Sequence, residues 1–508
     1  MDVDVCPSGP WFCDDLAVLE SVLQGFMADC LPTGNMAKAW VKRWSPKVKG
    51  DLGSLISALR VHNNASIEEM TWDLPPSKSH AIRLLALAAQ SEQTVVLHGM
   101  TNAGQDVISM RRCLRQMGVQ ITDLDQHGNP LHVSSNHDDQ PSEGSVSWSV
   151  VGVGPSGLKA PISVLHAGNS GTALRILMAM CGRFDVPVMV DGDASLRARN
   201  HDTMVQSLRD MGASVSRGTG VEGLPLLIQG PMAPSGKVSL DVSTSSQPIT
   251  AWCLAAPALP ADVGLELNGS GVSLRHSGLT KTMCVDTGAP EGIGAAVLSP
   301  WTPVFANPQV EVPRDASMLA FACLAAKATD VSVHIGHLPR ANDALGHELL
   351  LDLLPSLGLN LTDGTLTVGE VGSQQTVDLR DANDLITPLA ALLALGKGGK
   401  LVGAPHAAYK ETDRTVGTVK LLKQFGLEAS YANGELTVPG DQSVVCPDEL
   451  VETYGDHRMQ MTALVLALAC RQSVLVKGAT LHEVADPEAV ERWSSVGAEI
   501  EAFLHQPW

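Results

Sequence analysis

Basic, hydroxyl and amide side chains stand at the starts of several apolar segments of this chain. Residues 78–79 (Lys-Ser) open the first segment, residues 169–172 (Asn-Ser-Gly-Thr) open the second, and residues 456–458 (Asp-His-Arg) open the sixth. If the segments are helices, their N-termini present unpaired amide groups and a partial positive charge, which favour a bound anion. Several such ends facing one cleft would bind a small substrate that carries more than one negative charge.

A further charged cluster is Lys-Glu-Thr-Asp-Arg at residues 410–414, and Arg199 follows Asp191-Gly192-Asp193 in a stretch of small residues. For any single position, an ordinary structural role is the alternative to anion binding. Ser and Asp are preferred helix caps, and a run of charged residues is often a solvated face. Six polar helix starts, four of them beside an Arg or Lys, make that alternative weaker for the set than for any single position.

A repeat of about 70 residues must position these side chains. Six segments end in Gly and turn into a β-like run, which predicts a left-handed glycine cap that feeds a strand. In step with them run six Ala/Leu-rich segments that are apolar on nearly every face, which predicts buried helices. The six glycines are Gly118, Gly212, Gly288, Gly358, Gly426 and Gly497, and the predicted N-caps are Ser79, Ser170, Ser245, Asp315, Asn383 and Asp456.

Six units of this kind predict two domains of three repeats each. We expect a first domain over residues 76–312 and a second over residues 313–508, with a strand at 71–75 as a candidate addition to the second. The Gly/Pro-rich stretches 218–236 and 278–303 are predicted to be loops. Residues 1–70 fall outside the repeat as an extension of unknown role, with short helices expected at 16–27 and 51–60.

Composition limits the function classes. The chain has 508 residues, 44% hydrophobic and 18% charged, with 35 Lys plus Arg against 54 Asp plus Glu and a net charge of −19. Such an acidic chain is a poor general binder of nucleic acid or anionic membrane, so an anionic partner needs a local basic cluster. No segment is long and apolar enough for a membrane-spanning helix, and the first 20 residues carry four Asp and no Lys or Arg, unlike a targeting peptide.

The ten cysteines are scattered, without a CxxC pair, and several lie in apolar segments, which is typical of reduced, buried thiols. We therefore expect a cytoplasmic protein. The chain has neither a GxxxxGK[ST] nor a GxGxxG motif for nucleotides, and no His/Cys/Asp set with metal-ligand spacing.

Six motifs together resemble those of the 5-enolpyruvylshikimate-3-phosphate (EPSP) synthase family. They are Leu-Pro-Pro-Ser-Lys-Ser-x-x-x-Arg at 74–83, Gly-Asn-Ser-Gly-Thr-Ala-Leu-Arg at 168–175, Ser-Ser-Gln at 245–247, Asp-Ala-Ser at 315–317, Lys-Glu-Thr-Asp-Arg at 410–414 and Asp-His-Arg-Met at 456–459. They follow the family's order and spacing over residues 72–508. The resemblance implies an α/β (α+β) fold, a two-domain inside-out barrel in which each domain holds three βαβαββ repeats and buried parallel helices.

The implied reaction transfers the carboxyvinyl group of phosphoenolpyruvate to the 5-hydroxyl of shikimate 3-phosphate and releases phosphate, with no metal or organic cofactor. By position, Glu411 matches the acid that protonates the methylene carbon, Asp384 the group beside the hydroxyl, and Lys78 a further catalytic residue. The implied phosphoenolpyruvate set is Lys78, Gly171, Arg199, Gln247, Arg414, Arg458 and Arg492. The implied shikimate 3-phosphate set is Lys78, Ser79, Arg83, Ser245, Ser246, Gln247, Ser273, Asp384 and Lys410.

The chain departs from the family's pattern at four positions. His276 replaces a tyrosine, His406 an asparagine, Arg492 a lysine and Ser195 an arginine. Two alternatives therefore stay open, a carboxyvinyltransferase with another acceptor and a non-catalytic anion-binding protein. The sister family that acts on UDP-N-acetylglucosamine uses a loop cysteine, and residues 191–200 contain none. We expect small-molecule substrates, no nucleic-acid or membrane partner, and a monomer.

Overall fold

The structure is a computed structural model that describes residues 56–62, 69–131, 139–217, 223–233, 236–370 and 372–505. The predicted helix at 16–27 lies outside the described residues. The α-helices are α1 Lys78–Gln90, α2 Gln105–Gln116, α3 Gly171–Cys181, α4 Ala194–Arg197, α5 Asp202–Asp210, α6 Gln247–Ala255, α7 Leu274–Asp286, α8 Leu319–Thr329, α9 Leu349–Leu353, α10 Ile386–Leu395, α11 Arg414–Gln424, α12 His457–Leu468 and α13 Ala489–Ser495.

The strands are short and alternate with these helices. They are β1 Ile56–His62, β2 Glu69–Trp72, β3 Thr94–His98, β4 Gln120–Leu124, β5 Ser147–Val151, β6 Leu165–His166, β7 Val188–Asp191, β8 Ser214–Arg217, β9 Leu226–Gln229, β10 Lys237–Asp241, β11 Val263–Asn268, β12 Val297–Leu298, β13 Gln309–Glu311, β14 Ser332–Ile335, β15 Leu359–Thr362, β16 Thr365–Val368, β17 Gln375–Asp378, β18 Gly398–Val402, β19 Ser430–Ala432, β20 Glu435–Pro439, β21 Val474–Lys477 and β22 Glu499–His505.

Four sheets share one topology, with strand orders β13-β3-β5-β4, β6-β7-β9-β8, β2-β14-β16-β15 and β17-β18-β20-β19. In each, the first pair is parallel and the other two pairs are antiparallel. A fifth sheet, β10-β11-β12, keeps the parallel pair and one antiparallel pair. The recurring order confirms a repeated unit, as the glycine and helix periodicity predicted.

Strand β1 completes the sixth unit. It lies between β21 and β22 and is antiparallel to both, at the position that β20 holds between β18 and β19. The prediction of a helix at 51–60 is wrong for residues 56–60, which belong to β1. Residues 56–62, placed outside the repeats from sequence, thus supply a strand that the sixth repeat lacks, through pairing with residues more than 400 positions away.

The six cap glycines all have positive φ, from +69° at Gly426 to +100° at Gly497. Because this region is strained for residues with a Cβ, glycine is required where the helix turns into the next strand. A strand starts within four residues of every cap except Gly288, after which β12 starts only at Val297. The predicted caps are confirmed.

The six predicted buried helices are α1, α3, α6, α8, α10 and α12. Ser170, Asp315 and Asp456 cap as predicted, since each side chain accepts a hydrogen bond from a backbone amide two or three residues later. The other three caps are wrong. The N-caps before α1 and α6 are Ser77 and Ser246 rather than Ser79 and Ser245, and Asn383 lies in a 3₁₀ turn that precedes α10.

Two of the predicted loops also contain regular structure. Helix α7 covers residues 274–286, and β9 covers residues 226–229. In α7 the single Gly278 is tolerated within thirteen helical residues. Glycine and proline frequency therefore gave the wrong assignment where apolar residues could pack on the core.

Buried apolar side chains form two cores. One draws on residues from Ala81 to Val312, and the other on residues from Leu59 to Leu74 and from Met318 to Ala502. Between them, Ser77 N donates to the Pro313 carbonyl at 2.7 Å, and Asp315 N donates to the Pro75 carbonyl at 2.9 Å. We propose that these two paired crossing segments mark the boundary between two domains, called here the first half and the second half.

Candidate active site

Arg414 is the centre of an ion-pair cluster in the second half. Arg414 is the first residue of α11. The N-cap before it, Asp413, accepts hydrogen bonds from two backbone amides. Arg414 Nη1 donates to Asp384 Oδ1 at 2.7 Å, its Nε donates to Asp456 Oδ2 at 2.7 Å, and its Nη2 contacts Glu411 Oε2. The side chain is 1% exposed. One guanidinium thus fixes three carboxylates from three elements.

Two more cations face Asp384. Arg458 Nε lies 3.5 Å from Asp384 Oδ1, and its Nη2 donates to Ser317 Oγ at 2.9 Å. Lys410 Nζ lies 4.0 Å from the same carboxylate oxygen. Four elements therefore meet around one carboxylate. They are the starts of α11 and α12 and the 3₁₀ turns before α8 and α10. The sequence predicted that polar helix starts would converge, and in the second half they do.

The cations decide the charge of both carboxylates. Burial acts to raise the pKa of Asp384, but Arg458, Lys410 and Arg414 outweigh it and hold that pKa well below its usual range. Burial likewise opposes ionisation of Glu411, but Arg414 and Arg199 hold its pKa well below the ordinary value. Both groups are therefore ionised at neutral pH in the ligand-free protein. Burial lowers the pKa of Lys410 against the opposing effect of Asp384.

Arg199 joins the first half to this cluster. Its Nη2 lies 3.4 Å from Glu411 Oε1 and also donates to Ser195 Oγ at 2.8 Å. The Arg199 side chain is 14% exposed and that of Glu411 is 10% exposed, so the pair is largely removed from water. The serine that replaces a family arginine thus orients Arg199 instead of adding a second charge. The two halves lie close enough here for one site to use residues from both.

Gly171, Arg175 and Gln247 line the same side of the site as Arg199. Arg175 Nη1 donates to Gln247 Oε1 at 2.7 Å, and Gln247 Nε2 donates to Thr172 Oγ1 at 3.1 Å. A Cβ at Gly171 would lie 2.9 Å from Arg175 Nη1, 3.2 Å from Arg199 Nη1 and 3.5 Å from Gln247 Oε1. Glycine is thus what allows the two guanidinium groups to approach the start of α3 so closely.

Replacing Gly171 by alanine tests this crowding. The added methyl group would push Arg175 or Arg199 aside, because contacts of 2.9 and 3.2 Å are shorter than carbon–nitrogen van der Waals contact. We expect KM for phosphoenolpyruvate to rise by about tenfold, while kcat and the affinity for shikimate 3-phosphate change little. Steady-state kinetics against each substrate measures this, with Gly278→Ala as the control because a Cβ there meets nothing within 4 Å. An unchanged KM would show that the guanidinium groups do not set phosphoenolpyruvate affinity.

Lys78 pairs with Asp106, a carboxylate that the sequence reasoning missed. Lys78 Nζ lies 2.8 Å from Asp106 Oδ2, and Asp106 is 4% exposed. Burial acts to lower the pKa of Lys78, but Asp106 outweighs it and the pKa is raised. Asp106 stands in the first turn of α2, where acidic residues favour the helix dipole, so its sequence signal is the same as that of an ordinary capping residue.

The first-half residues assigned to shikimate 3-phosphate gather near the starts of α1, α6 and α7. Arg83 is 2% exposed, and it donates to Thr280 Oγ1 at 2.7 Å and to the Ser79 carbonyl at 2.7 Å. Ser246 Oγ donates to the Ser273 carbonyl at 3.0 Å, and Ser245 Oγ accepts from the Gln247 amide at 3.2 Å. Arg83 therefore holds these helix starts in fixed positions relative to one another.

Ser273 also contacts the second half. Its Oγ accepts from Asn383 Nδ2 at 3.2 Å and lies 3.4 Å from His406 Nε2, while Asn383 Nδ2 lies 2.9 Å from that same imidazole nitrogen. Burial lowers the pKa of His406 to about 4 and that of His276 to about 3, so both rings are neutral at pH 7. The two histidine departures thus place uncharged imidazoles beside Asp384 and Ser273.

The guanidinium group of Arg492 makes its hydrogen bonds outside this cluster. Its Nη1 donates to Asp486 Oδ2 at 2.8 Å, its Nη2 donates to the Asp73 carbonyl at 3.1 Å, and its guanidinium carbon lies 4.8 Å from the ring centre of Trp72. Asp486 is fully buried. The forked side chain is thus held by a bidentate carboxylate and an aromatic face, interactions that a lysine could not make in the same way.

His457 is a second group whose position only the structure shows. It is 2% exposed, and neither ring nitrogen has a hydrogen-bond partner among the described residues. Burial and the charge of Lys78 lower its pKa well below the ordinary value. Its motif, Asp-His-Arg-Met, was recognised from sequence, but that recognition assigned a role only to Arg458.

Neither a metal-ligand cluster nor a membrane-spanning helix occurs among the described residues. No group of three or more His, Cys, Asp or Glu side chains is arranged to hold a metal ion among them. None of their helices is long and apolar enough to cross a membrane.

Comparison with known proteins identifies the family. The sequence model of EPSP synthase (3-phosphoshikimate 1-carboxyvinyltransferase) matches residues 68–493, which is most of the chain. The chain belongs to the EPSP synthase family. Its function is accordingly that of a 3-phosphoshikimate 1-carboxyvinyltransferase, a transferase of the shikimate pathway, and the family's small-molecule substrates are phosphoenolpyruvate and shikimate 3-phosphate.

Curated relatives agree with the family match. A 3-phosphoshikimate 1-carboxyvinyltransferase of Methanothermobacter thermautotrophicus is 26% identical over 445 residues, which cover 86% of this chain and 98% of the relative. One from Methanocorpusculum labreanum is 27% identical over 435 residues, 84% of this chain and 96% of the relative. The match thus extends over nearly the full length of these enzymes.

Solved structures support the fold. An EPSP synthase from Acinetobacter baumannii superposes with a TM-score of 0.66 at 22% identity, covering 88% of this chain and 99% of the other. A second structure of that enzyme gives 0.64 at 21% identity. The two-domain α/β architecture expected from the resemblance is confirmed, with separate open sheets surrounding buried helices in the described residues.

Proposed function

We propose that the site between the halves carries out the family's carboxyvinyl transfer with Glu411 as acid and Asp384 as base. The observation that supports this most is the pairing of Glu411 with Arg199 from the first half and with Arg414 from the second. It places an ionisable acid where both halves present cations to one small anion. Asp384, held by Arg414 and Arg458, is the second carboxylate of the same cluster.

Phosphoenolpyruvate brings a carboxylate and a phosphate that must be held side by side. Arg199, Arg414 and Arg458 offer planar forks that bind such groups through two parallel hydrogen bonds, and Lys78 adds a point charge. Gln247 and the start of α3 at Gly171 supply neutral donors beside them. Arg492 completes the set that the resemblance implies, and like Arg414 it must give up or share its present contacts, here with Asp486 and the Asp73 carbonyl, to bind the anion.

Shikimate 3-phosphate is proposed to lie along the starts of α1, α6 and α7. Ser79, Ser245 and Ser246 provide hydroxyls, and Lys410 lies on the opposite wall beside Asp384. The remaining members of the set are Lys78, Arg83, Gln247, Ser273 and Asp384. Hydroxyls, an amide and cations together suit a phosphorylated ring that carries hydroxyl groups and a carboxylate.

The proposed chemistry is addition followed by elimination. Asp384 takes the proton of the 5-hydroxyl as its oxygen attacks the central carbon of phosphoenolpyruvate, and Glu411 gives a proton to the methylene carbon. The tetrahedral adduct that results keeps the phosphate, whose charge the surrounding cations stabilise. The Glu411 carboxylate then takes a proton back from the new methyl group while the carbon–oxygen bond to phosphate breaks, which releases phosphate and forms the enol ether. No redox step or cofactor is required.

Glu411 must gain a proton before it can act as an acid. In the ligand-free protein, Arg414 and Arg199 hold its pKa well below the ordinary value. An anionic substrate that binds these cations competes with Glu411 for them and adds negative charge nearby, and both effects raise the pKa of the carboxyl group. Substrate binding is therefore proposed to arm the acid.

Proton uptake on binding tests this coupling. Because the pKa of Glu411 rises on binding, the complex takes up more protons than the free protein, and phosphoenolpyruvate binding to the shikimate 3-phosphate complex weakens as the pH rises. Calorimetric titration in buffers of different ionisation heat gives the number of protons taken up. The Asp384→Asn background is used because its kcat is too low for turnover to interfere. We expect the Asp384→Asn protein to take up more protons than the Asp384→Asn/Glu411→Gln protein, and equal uptake would contradict the coupling.

The enzyme is further proposed to work as a monomer in the cytoplasm. Every described cysteine is free, and all but Cys446 are buried. Burial raises the pKa of Cys113 to about 12, which keeps that thiol protonated and unreactive.

Another acceptor is the second candidate, and His276 and His406 are the observation in its favour. One experiment distinguishes shikimate 3-phosphate from another acceptor. The protein is incubated with phosphoenolpyruvate and either shikimate 3-phosphate or unphosphorylated shikimate, and the products are identified by mass spectrometry. The enol ether of shikimate 3-phosphate supports the proposal. Formation of no such product by a folded protein would favour the other acceptor.

A further inference from the structure

A second cavity lies between the halves, away from the carboxylate cluster. Its volume is about 890 Å³, within the range of small-molecule sites. One wall comes from the first half, through α1, α7 and the segment from Phe305 to Val312, and Pro313 and Arg314 of the crossing segment adjoin it. The other wall is the segment from His337 to Leu345 of the second half. The cavity uses other faces of the helices than the site does, since Leu84 and Leu279 line it whereas Arg83 and Thr280 pair with each other.

The walls of this interdomain cavity are mainly apolar, but one buried polar group opens into it. His80 is 4% exposed and lines the cavity. Its Nδ1 lies 2.9 Å from Ser77 Oγ, whereas Nε2 has no hydrogen-bond partner among the described residues. Asp343 Oδ1 lies 3.9 Å from that nitrogen, beyond hydrogen-bond distance. A buried nitrogen without a partner is costly, and a ligand donor placed between His80 and Asp343 would satisfy both.

Exposed side chains of both charges stand at the edge of the cavity. Arg340, Asp286 and Glu311 line it and are exposed to solvent, and none has an ion pair or side-chain hydrogen bond among the described residues. Arg275 by contrast already contacts Glu348 from the second half. The Arg340 guanidinium and the His80–Asp343 pair suit a ligand that carries one negative and one positive group on an apolar body.

We propose that the interdomain cavity binds a zwitterion with a large apolar group, of the class of α-amino acids with aromatic or long aliphatic side chains. Its carboxylate pairs with Arg340, its ammonium group lies between His80 and Asp343, and its side chain contacts Leu84, Leu279 and Phe305. The ligand bridges both halves, so it binds most tightly to the arrangement in which both walls are in place. That is the arrangement in which Arg199 reaches Glu411.

Linkage then gives the sign of the effect. A ligand that favours the arrangement with Arg199 against Glu411 also favours the form that binds phosphoenolpyruvate, and the coupling is reciprocal. The zwitterion is therefore an activator that lowers KM for phosphoenolpyruvate. This second step rests on the proposed function, whereas binding in the cavity does not.

Calorimetric titration of the full-length protein with L-phenylalanine tests binding without any need for turnover. We expect one site per chain, with 3-phenylpropionate and 2-phenylethylamine binding about tenfold more weakly or worse, because each lacks one charged group. Equal affinity for the three compounds, or no heat with L-phenylalanine, would overturn the proposed ligand class.

Variants locate the site. Gly278 lines the cavity within α7, and a Cβ there meets no atom within 4 Å. Gly278→Leu therefore extends a side chain into the cavity, whereas Gly278→Ala adds one methyl group and mainly improves helix propensity. We expect Gly278→Leu to remove L-phenylalanine binding, Gly278→Ala to keep it, and Arg340→Ala to weaken it severalfold. Unchanged binding in Gly278→Leu would overturn the assignment.

The same proteins test the coupling. In the wild type, saturating L-phenylalanine is expected to lower KM for phosphoenolpyruvate at least twofold, and Gly278→Leu should have the lower KM without ligand. Binding that leaves KM unchanged would overturn the activating role while leaving the site in place. A protein without turnover that still binds L-phenylalanine would place the failure in the proposed function instead.

Discussion

Replacing Glu411 by glutamine should lower kcat by about 10²- to 10⁴-fold, the range for loss of a general acid. The amide keeps the shape of the side chain but cannot give a proton to the methylene carbon. It also removes the negative charge that occupies Arg199 and Arg414, so KM for phosphoenolpyruvate should fall rather than rise. Steady-state kinetics with both substrates measures the two effects together.

The matched control is Glu435→Gln, which removes a carboxylate that pairs with Lys400 on the surface at 3.0 Å. It should leave both constants unchanged, as expected for an exposed ion pair. Calorimetric binding of shikimate 3-phosphate to Glu411→Gln should also match the wild type. A retained kcat would remove Glu411 from the acid role, and loss of shikimate 3-phosphate binding would give it a structural one.

Replacing Arg199 by alanine should raise KM for phosphoenolpyruvate by about 30- to 1000-fold, which corresponds to ~2–4 kcal/mol for a desolvated charge partner. The side chain is 14% exposed and lies beside Gly171, where the anion is proposed to bind. Its loss also leaves Glu411 with one cation fewer. Arg199→Lys should fall between the wild type and alanine, because it restores the charge but not the fork.

Arg217→Ala controls for the loss of a guanidinium in the same half, since Arg217 pairs with Asp202 outside the site. Thermal unfolding of all three variants separates binding from stability. A KM for phosphoenolpyruvate in Arg199→Ala equal to that of Arg217→Ala would show that Arg199 does not contact this substrate.

Local rules predicted the repeat because each signal is complete within a few residues. Each cap glycine was predictable because glycine itself adopts the positive φ that the helix end requires. Each buried helix was predictable from its own run of apolar residues. Strand β1 could not be predicted in this way. Residues 56–62 take strand geometry because they pair with β21 and β22, and nothing in the adjacent sequence specifies partners more than 400 residues away.

The site was predictable to the extent that its residues lie in short motifs. Glu411 and Arg414 are three residues apart and meet on one turn, as their motif suggests. The partner of Lys78 was missed because Asp106 comes from another helix whose sequence shows only a normal first turn. Arg492 was assigned by position, but its contacts with Asp486 and Trp72 depend on tertiary placement.

Phosphate release by the purified full-length protein tests the central claim most directly. The protein is given shikimate 3-phosphate and phosphoenolpyruvate together and each alone, with Glu411→Gln and Glu435→Gln run in parallel. We expect release only with both substrates, at a rate that Glu435→Gln keeps and Glu411→Gln reduces by about 10²-fold or more. Release from phosphoenolpyruvate alone, or none with both from a folded protein, would contradict the proposed carboxyvinyl transfer to shikimate 3-phosphate.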